Sequence, residues 1–151
     1  MKTKAKRAKN EHLSDASINR EVEKFVLKKL RLHSAKNVNF FGARVDLDGK
    51  NENGFFEIYS RIGETKVGGK RKVITDAVKL FLAARHNKKK NKTIVFIDKS
   101  VQKQFTEGKS WHVKALRELG IKTKVINISK TLKAKVLNAK EKQGRGITRK
   151  G

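Results

Sequence analysis

Five of the 14 Asp and Glu residues in this 151-residue chain fall between positions 46 and 64, while the chain as a whole carries a formal net charge of +25. They are Asp46, Asp48, Glu52, Glu57 and Glu64, and they lie on or beside two stretches that read as strands, 38–48 (VNFFGARVDLD) and 54–60 (GFFEIYS). The polar linker GKNENG between them is short enough for a hairpin. Side chains alternate along a strand, so Val45 and Leu47 share one face and Asp46 and Asp48 the other. In the second strand Phe55, Glu57 and Tyr59 share a face. Symmetric closure of the linker pairs Asp48 with Phe55 and Asp46 with Glu57, which sets two carboxylates directly across the ladder. Like charges that close are unfavourable unless a proton or a cation neutralises them.

Around this hairpin the hydrophobic pattern alternates between helix and strand periods. Residues 17–31 place Ile18, Val22, Phe25 and Val26 on one helical face, with Ser17 as N-cap. An apolar helix follows at 72–86, then TIVFID as a buried strand, SWHVKALRELG as a helix closed by Gly120, and IKTKVINI as a further strand. A last helix starts at Ser129 and includes Leu132, Val136 and Ala139. The order α-β-β-α-β-α-β-α predicts an α/β fold, a mixed β-sheet flanked by helices. One core domain is expected over 17–128, followed by a C-terminal helix at 129–142. Residues 1–16 and 143–151 are basic and aperiodic, and read as a flexible arm and tail.

The 39 Lys and Arg residues call for a polyanionic partner, and nucleic acid is the leading one. Membrane-surface binding is disfavoured, because the cations are not gathered on one polar face of an amphipathic helix. The absence of cysteine removes disulfides, zinc fingers and thiol chemistry. No signal-peptide h-region follows the basic start and no apolar run reaches membrane-spanning length, so a cytoplasmic protein is expected. Residues 65–92 hold ten Lys and Arg against one acid, Asp76. Within them TKVGGKRK surrounds the flexible pair Gly68-Gly69 with Lys66, Lys70, Arg71 and Lys72, as a phosphate-contacting loop would, and Lys88, Lys89 and Lys90 extend the basic surface. It is not a Walker A motif. Most Phe residues fit apolar faces, and single-strand binders expose several aromatics, so double-stranded DNA is the expected partner.

Oxygen-only ligands on neighbouring strands suit Mg²⁺, with Mn²⁺ as a substitute, and Asp46, Asp48 and Glu57 are the candidate ligands. The plainer alternative is a solvent-facing hairpin whose Asp residues pair with Arg44, Lys50 or Arg61. An N-terminal helix bearing Glu, a strand bearing Asp, a hairpin to a strand bearing Glu, then a helix and two more strands resembles the PD-(D/E)XK, or restriction-endonuclease-like, superfamily over about residues 17–128. The resemblance implies a core of order αββαβαβ and metal-dependent hydrolysis of phosphodiester bonds. It matches Asp46 (or Asp48) to the lone Asp, Glu57 to the Glu of the ExK motif, and Glu21 to the supporting glutamate of the first helix. Tyr59 stands where the ExK lysine belongs, so the water-orienting cation would come from the next helix, where Lys72 is the candidate. The blander role for Lys72, Asp76 and Lys79 is a set of ion pairs along one helical stripe. The expected function is a DNA endonuclease of homing, restriction or repair type, and a homo-oligomer because a duplex has two strands to cut. The alternative is a non-catalytic nucleic-acid-binding protein with a degenerate nuclease fold.

Overall fold

Phe41 and Gly42, with φ of 51° and 86°, fold the chain back on itself inside what reads in sequence as a single strand. Successive positive φ values are what a tight hairpin turn requires, and they divide residues 38–48 between two antiparallel strands. The computed structural model describes residues 16–140 in full. Apart from Ala16, the side chains of the basic arm expected at 1–16 and of the tail expected at 143–151 lie outside the described residues.

The elements run α1 (Lys2–Leu30), β1 (His33–Phe40), β2 (Ala43–Lys50), β3 (Gly54–Tyr59), α2 (Val67–His86), β4 (Asn91–Phe96), α3 (Lys99–Thr106), α4 (Trp111–Glu118), β5 (Lys122–Val125) and α5 (Lys130–Lys150). They form an α/β fold with one mixed sheet in spatial order β1-β2-β3-β4-β5. The β1–β2 and β2–β3 pairs are antiparallel, and β3–β4 and β4–β5 are parallel. Parallel neighbours need a crossover, and α2 supplies it between β3 and β4. The order departs from the expected one by an additional strand, β1, and an additional helix, α3. The pattern in KSVQKQFT is short, yet Asp98 caps it by accepting from Ser100 N (3.2 Å), and Val101 and Phe105, one turn apart, are both buried.

Two apolar layers enclose the sheet. On one face Phe55, Tyr59, Ile94 and Phe96 pack with Val73, Ala77 and Leu80 of α2, Phe105 of α3 and Leu116 of α4. On the other Ile58, Val95 and Ile97 meet Val22 and Val26 of α1 and Leu132 and Val136 of α5. Neighbouring strand residues thus go to opposite layers, as the pleat demands. In β4 the last four residues are all buried, the continuous apolar run of a strand covered on both faces. Phe96 is fully buried and stacks on Phe105 with ring centroids 5.6 Å apart. Truncating Phe96 to Ala would cost about 3–5 kcal/mol. Among the described residues no helix is long and apolar enough to cross a membrane.

Candidate functional site

The turn between β2 and β3 is tighter than the linker GKNENG implies, and its geometry decides which acids meet. Asn51 Oδ1 accepts from the N–H groups of Asn53 and Gly54 (both 2.9 Å), and Asn51 N–H donates to Gly54 O (3.1 Å). An Asx-type turn therefore closes the chain within residues 51–53, and Gly49 and Lys50 belong to the strand. Only Gly fits at position 54, because a Cβ there would collide with the backbone of Asn91. The resulting register pairs Gly49 with Phe56 and Lys50 with Phe55. Continued by one step, that register sets Asp48 opposite Glu57. The expected pairing of Asp46 with Glu57 is corrected by two residues.

Beyond those two paired positions the β2–β3 ladder gives way to side-chain bonds. Glu57 Oε1 accepts from Asp48 N–H (3.1 Å), and Asp48 Oδ2 accepts from Ile58 N–H (2.7 Å). Carboxylates thus occupy the place of main-chain carbonyls, which brings both into the gap between the strands. Glu57 is 3% exposed. Two further acids converge here. Glu23 of α1 interacts with the Asp48 carboxyl by hydrogen bond and charge. Asp76 of α2, 4% exposed, acts on both Asp48 and Glu57 and accepts from Lys72 Nζ at 3.3 Å.

Burial and mutual repulsion raise the proton affinity of Glu57, Asp48 and Glu23. Burial, followed by the charges of Asp48 and Asp76, pushes the Glu57 carboxyl up to about 9, although the Lys79 ammonium and the Asp48 N–H oppose it. Asp48 is raised mainly by burial, with the Ile58 N–H pulling the other way. Glu23 is raised by burial and then by Asp48. For Lys72, burial pulls downward, but Asp76, Glu57 and Asp48 outweigh it, and the ammonium is held above its ordinary value. A site of this kind carries protons unless a cation replaces them.

The structure brings together Asp48, Glu57 and Lys72 of the residues expected from sequence. It leaves two outside. Asp46 is exposed, its Oδ1 accepting from Asn37 N–H (2.9 Å) across the β1–β2 pair. Glu21 is exposed and pairs with Lys135 of α5 (3.1 Å). Two residues along a helix turn the side chain to nearly the opposite side, so Glu23 reaches the sheet where Glu21 reaches α5. Sequence reasoning passed over Glu23, and it took Asp76 only as an ion-pair partner. The available signal for Asp76 was its position within the apolar stripe of Val73, Ala77 and Leu80.

Tyr59, at the ExK lysine position, is buried against Phe96, and burial raises its phenol, so it brings no charge to the site at neutral pH. The stretch around Gly68-Gly69 is the first turn of α2 rather than a flexible loop, since the helix starts at Val67 and not at 72. This separates the expected phosphate-binding cations. Lys66, Lys70, Arg71 and Lys72 stand at the N-terminal end of α2, where Lys72 reaches the carboxylates. Lys88, Lys89 and Lys90 follow its C-terminal end, roughly 30 Å away along the helix, where Lys89 Nζ donates to Glu52 O (3.0 Å).

Among the described residues, no three His, Cys, Asp or Glu side chains are arranged to hold a metal ion unaided. The donor set does fit Mg²⁺, which commonly takes one or two protein carboxylates and completes its shell with water and phosphate oxygens. Asp48 and Glu57 are the pair that would hold it. Comparison with family models, curated proteins and solved structures found no match for the chain.

Proposed function

We propose that this protein is a metal-dependent endonuclease acting on double-stranded DNA. The observation that carries the reading is the Asp48–Glu57 pair, one carboxyl half-buried and the other buried, in the gap between β2 and β3 of a chain with net charge +25. Carboxyls whose proton affinity is raised by burial and by one another mark a candidate functional site. The run α1-β1-β2-β3-α2-β4, with Glu23, Asp48 and Glu57 on its helix and two of its strands, supports a restriction-endonuclease-like core. In that assignment Glu23 takes the place expected of Glu21, and Asp48 that of Asp46.

Each side chain then has a task. Asp48 and Glu57 bind the cation, and Glu23 supports Asp48. A bound Mg²⁺ or Mn²⁺ would supply Lewis-acid polarisation of the scissile phosphate and a lowered pKa for the attacking water. Lys72, kept protonated and held by Asp76, is an ammonium that orients the water or meets charge on the phosphate. Its raised proton affinity makes it a poor general base. Tyr59 serves as a wall. Cutting both strands of a duplex would engage two copies related by a two-fold axis.

The test is nicking of supercoiled plasmid in Mg²⁺ or Mn²⁺, against EDTA and the variants Glu57→Gln and Asp48→Asn, with thermal melts to show that both variants fold. Metal-dependent nicking lost in every control is the expected result. The buried Tyr59 favours a second reading, a nucleic-acid-binding protein without hydrolysis. Salt-sensitive duplex binding with no nicking, on plasmids of varied sequence, would establish that one instead.

A further inference from the structure

A cavity of about 360 Å³ opens at the N-terminus of α2, bordered by Arg61, Glu64, Thr65, Lys66, Lys72 and Lys140. Lys66, in extended conformation at the N-cap, gives no side-chain acceptor to the helix, and no acid stands in the first turn. The first N–H to find an acceptor at this end is that of Lys70, on Lys66 O at 3.0 Å. The N–H groups of Val67, Gly68 and Gly69 therefore have no helical partner. Around this positive pole of the helix dipole stand Lys66, Lys70, Arg71 and Lys72, all of the sign the dipole disfavours.

A second observation is independent of the helix. Thr65 is 6% exposed, lines the cavity, and its Oγ1 is buried without a hydrogen-bond partner. The Tyr59 phenol stands close enough for the hydroxyl to counter part of the effect of its burial, although no hydrogen bond of good geometry joins the two. Buried hydroxyls normally find partners, so this one points to a missing acceptor or donor. The wall that carries it is fixed in place. Thr65 N–H donates to Gln104 Oε1 (3.0 Å), Gly63 N–H donates to Asp98 Oδ2 (2.9 Å), and Lys140 Nζ donates to Ile62 O (2.9 Å). Free amides, an unpaired hydroxyl and three ammonium groups, which outnumber the single carboxylate of Glu64 around the same hollow, are the components of an oxyanion-binding site.

We propose that this cavity binds a phosphate group of a polynucleotide strand through the amides of Val67, Gly68 and Gly69, the Thr65 hydroxyl, and Lys66, Lys72 and Lys140. The strand would then be anchored beside the cluster that contains Asp48 and Glu57, because Lys72 borders both. The polynucleotide identity of the ligand rests on the nuclease reading; the oxyanion chemistry of the cavity does not. The volume leaves room for the sugar next to the phosphate. The phosphate is either an internal one of the backbone or a strand terminus.

The test is titration of the ¹⁵N-labelled protein with inorganic phosphate in EDTA, following the amides of Thr65, Gly68 and Gly69. Saturable shifts at these amides are expected. A Cβ added at Gly68 meets open space, so Gly68→Ala and Gly68→Asp both fit. Gly68→Asp places a carboxylate where the phosphate would sit and should weaken phosphate binding by about tenfold or more, whereas Gly68→Ala should change it by less than about threefold. Short duplexes with 5′-phosphate, 3′-phosphate or hydroxyl ends identify the source. Tighter binding of one phosphorylated end, lost in Gly68→Asp, assigns a terminal phosphate. Equal binding of all three, weakened by Gly68→Asp, assigns an internal one. Unshifted Gly68 and Gly69 amides, or duplex affinity indifferent to Gly68→Asp, would overturn the proposal. Because the titration needs neither metal nor cleavage, and Glu57→Gln should bind phosphate normally, a plasmid that stays intact rejects the nuclease while leaving the site standing.

Discussion

The two ends of α2 carry clusters of the same residue type under opposite physics. At the C-terminal end, Arg85 and His86 occupy the last turn, Lys88, Lys89 and Lys90 follow, and positive charge there complements the helix dipole. The end is also closed. Asn87 N–H reaches Ala83 O at 3.0 Å, while its side-chain amide donates to Ala83 O at 2.8 Å and to Asn39 O at 2.9 Å. At the N-terminal end the cations oppose the dipole, no side chain caps the helix, and buried carboxyls with raised proton affinity lie next to them. The fold by itself accounts for the first cluster. It does not account for the second, and unsatisfied arrangements of that kind are where ligands belong.

The strongest way to break this contrast is to neutralise each end in turn. Glu57→Gln and Asp48→Asn should each lower single-turnover cleavage of duplex DNA by about 10³-fold or more, a loss of the order seen when one group that stabilises developing charge is removed, while duplex affinity in EDTA is kept. Replacing Lys88, Lys89 and Lys90 together with Ala should leave the chemical step unchanged at saturating DNA. Its effect should appear in binding, where the slope of log K against log salt falls by up to about 2.7, near 0.9 for each phosphate that is no longer neutralised. Equal loss of the chemical step from both ends would erase the distinction.

A second effect concerns stability and pH. The Glu57 carboxyl is pushed up to about 9, well above the ordinary glutamate value of 4.5 it would have in the unfolded chain. Between those values the folded state holds a proton that the unfolded state has released, so stability falls as pH rises through the window from 4.5 towards 9. The slope is at most about 1.4 kcal/mol per pH unit for one proton. Asp48 and Glu23, also raised, act with the same sign from their own lower starting values. Asp98, whose hydrogen bonds from Gly63 and Ser100 outweigh its burial and hold it below the ordinary value, acts the other way and loses its contribution only in acid. Denaturant melts from pH 5 to pH 9 in EDTA should show the decline, and Glu57→Gln should flatten it. Added Mg²⁺ should restore stability most at the alkaline end, because the ion replaces the proton. A flat profile in the native protein would show that the cluster is not under the strain inferred from its burial.

Much of this architecture was legible in the sequence, and the failures have local causes. The α/β class and the apolar runs of β4 and α2 follow from periodicity, because a strand covered on both faces and an amphipathic helix are both set by burial. The β1 strand was missed because Phe41 takes a positive φ, a conformation rarely expected of an aromatic residue, and so the turn carried only Gly42 as a signal. The carboxylate register slipped by two because the Asn51 side chain, rather than the length of GKNENG, sets where the hairpin closes. The places of Glu57 and Lys72 do not depend on that register, since they are set by the β3 pleat and the α2 stripe. Glu23 and Asp76 could not be placed from the pattern alone. Each comes from a helix whose rotation against the sheet is decided by packing, and two residues separate Glu23 in the cluster from Glu21 on the surface.

The smallest expected effect sharpens the comparison without chemistry. Lys66→Asp supplies the missing N-cap and reverses the unfavourable charge, and should stabilise the free protein by about 1 kcal/mol. Asn87→Ala at the other end removes a side-chain bond that is already made, and should destabilise it by about 1 kcal/mol. The two ends thus respond with opposite sign to substitutions of similar size, readable in urea melts with unchanged m-value. Repeating the Lys66→Asp melt with saturating phosphate tests why the native end is left open. If an anion completes that end of α2, phosphate should stabilise the native protein and leave the variant unmoved, since the new carboxylate already occupies its place.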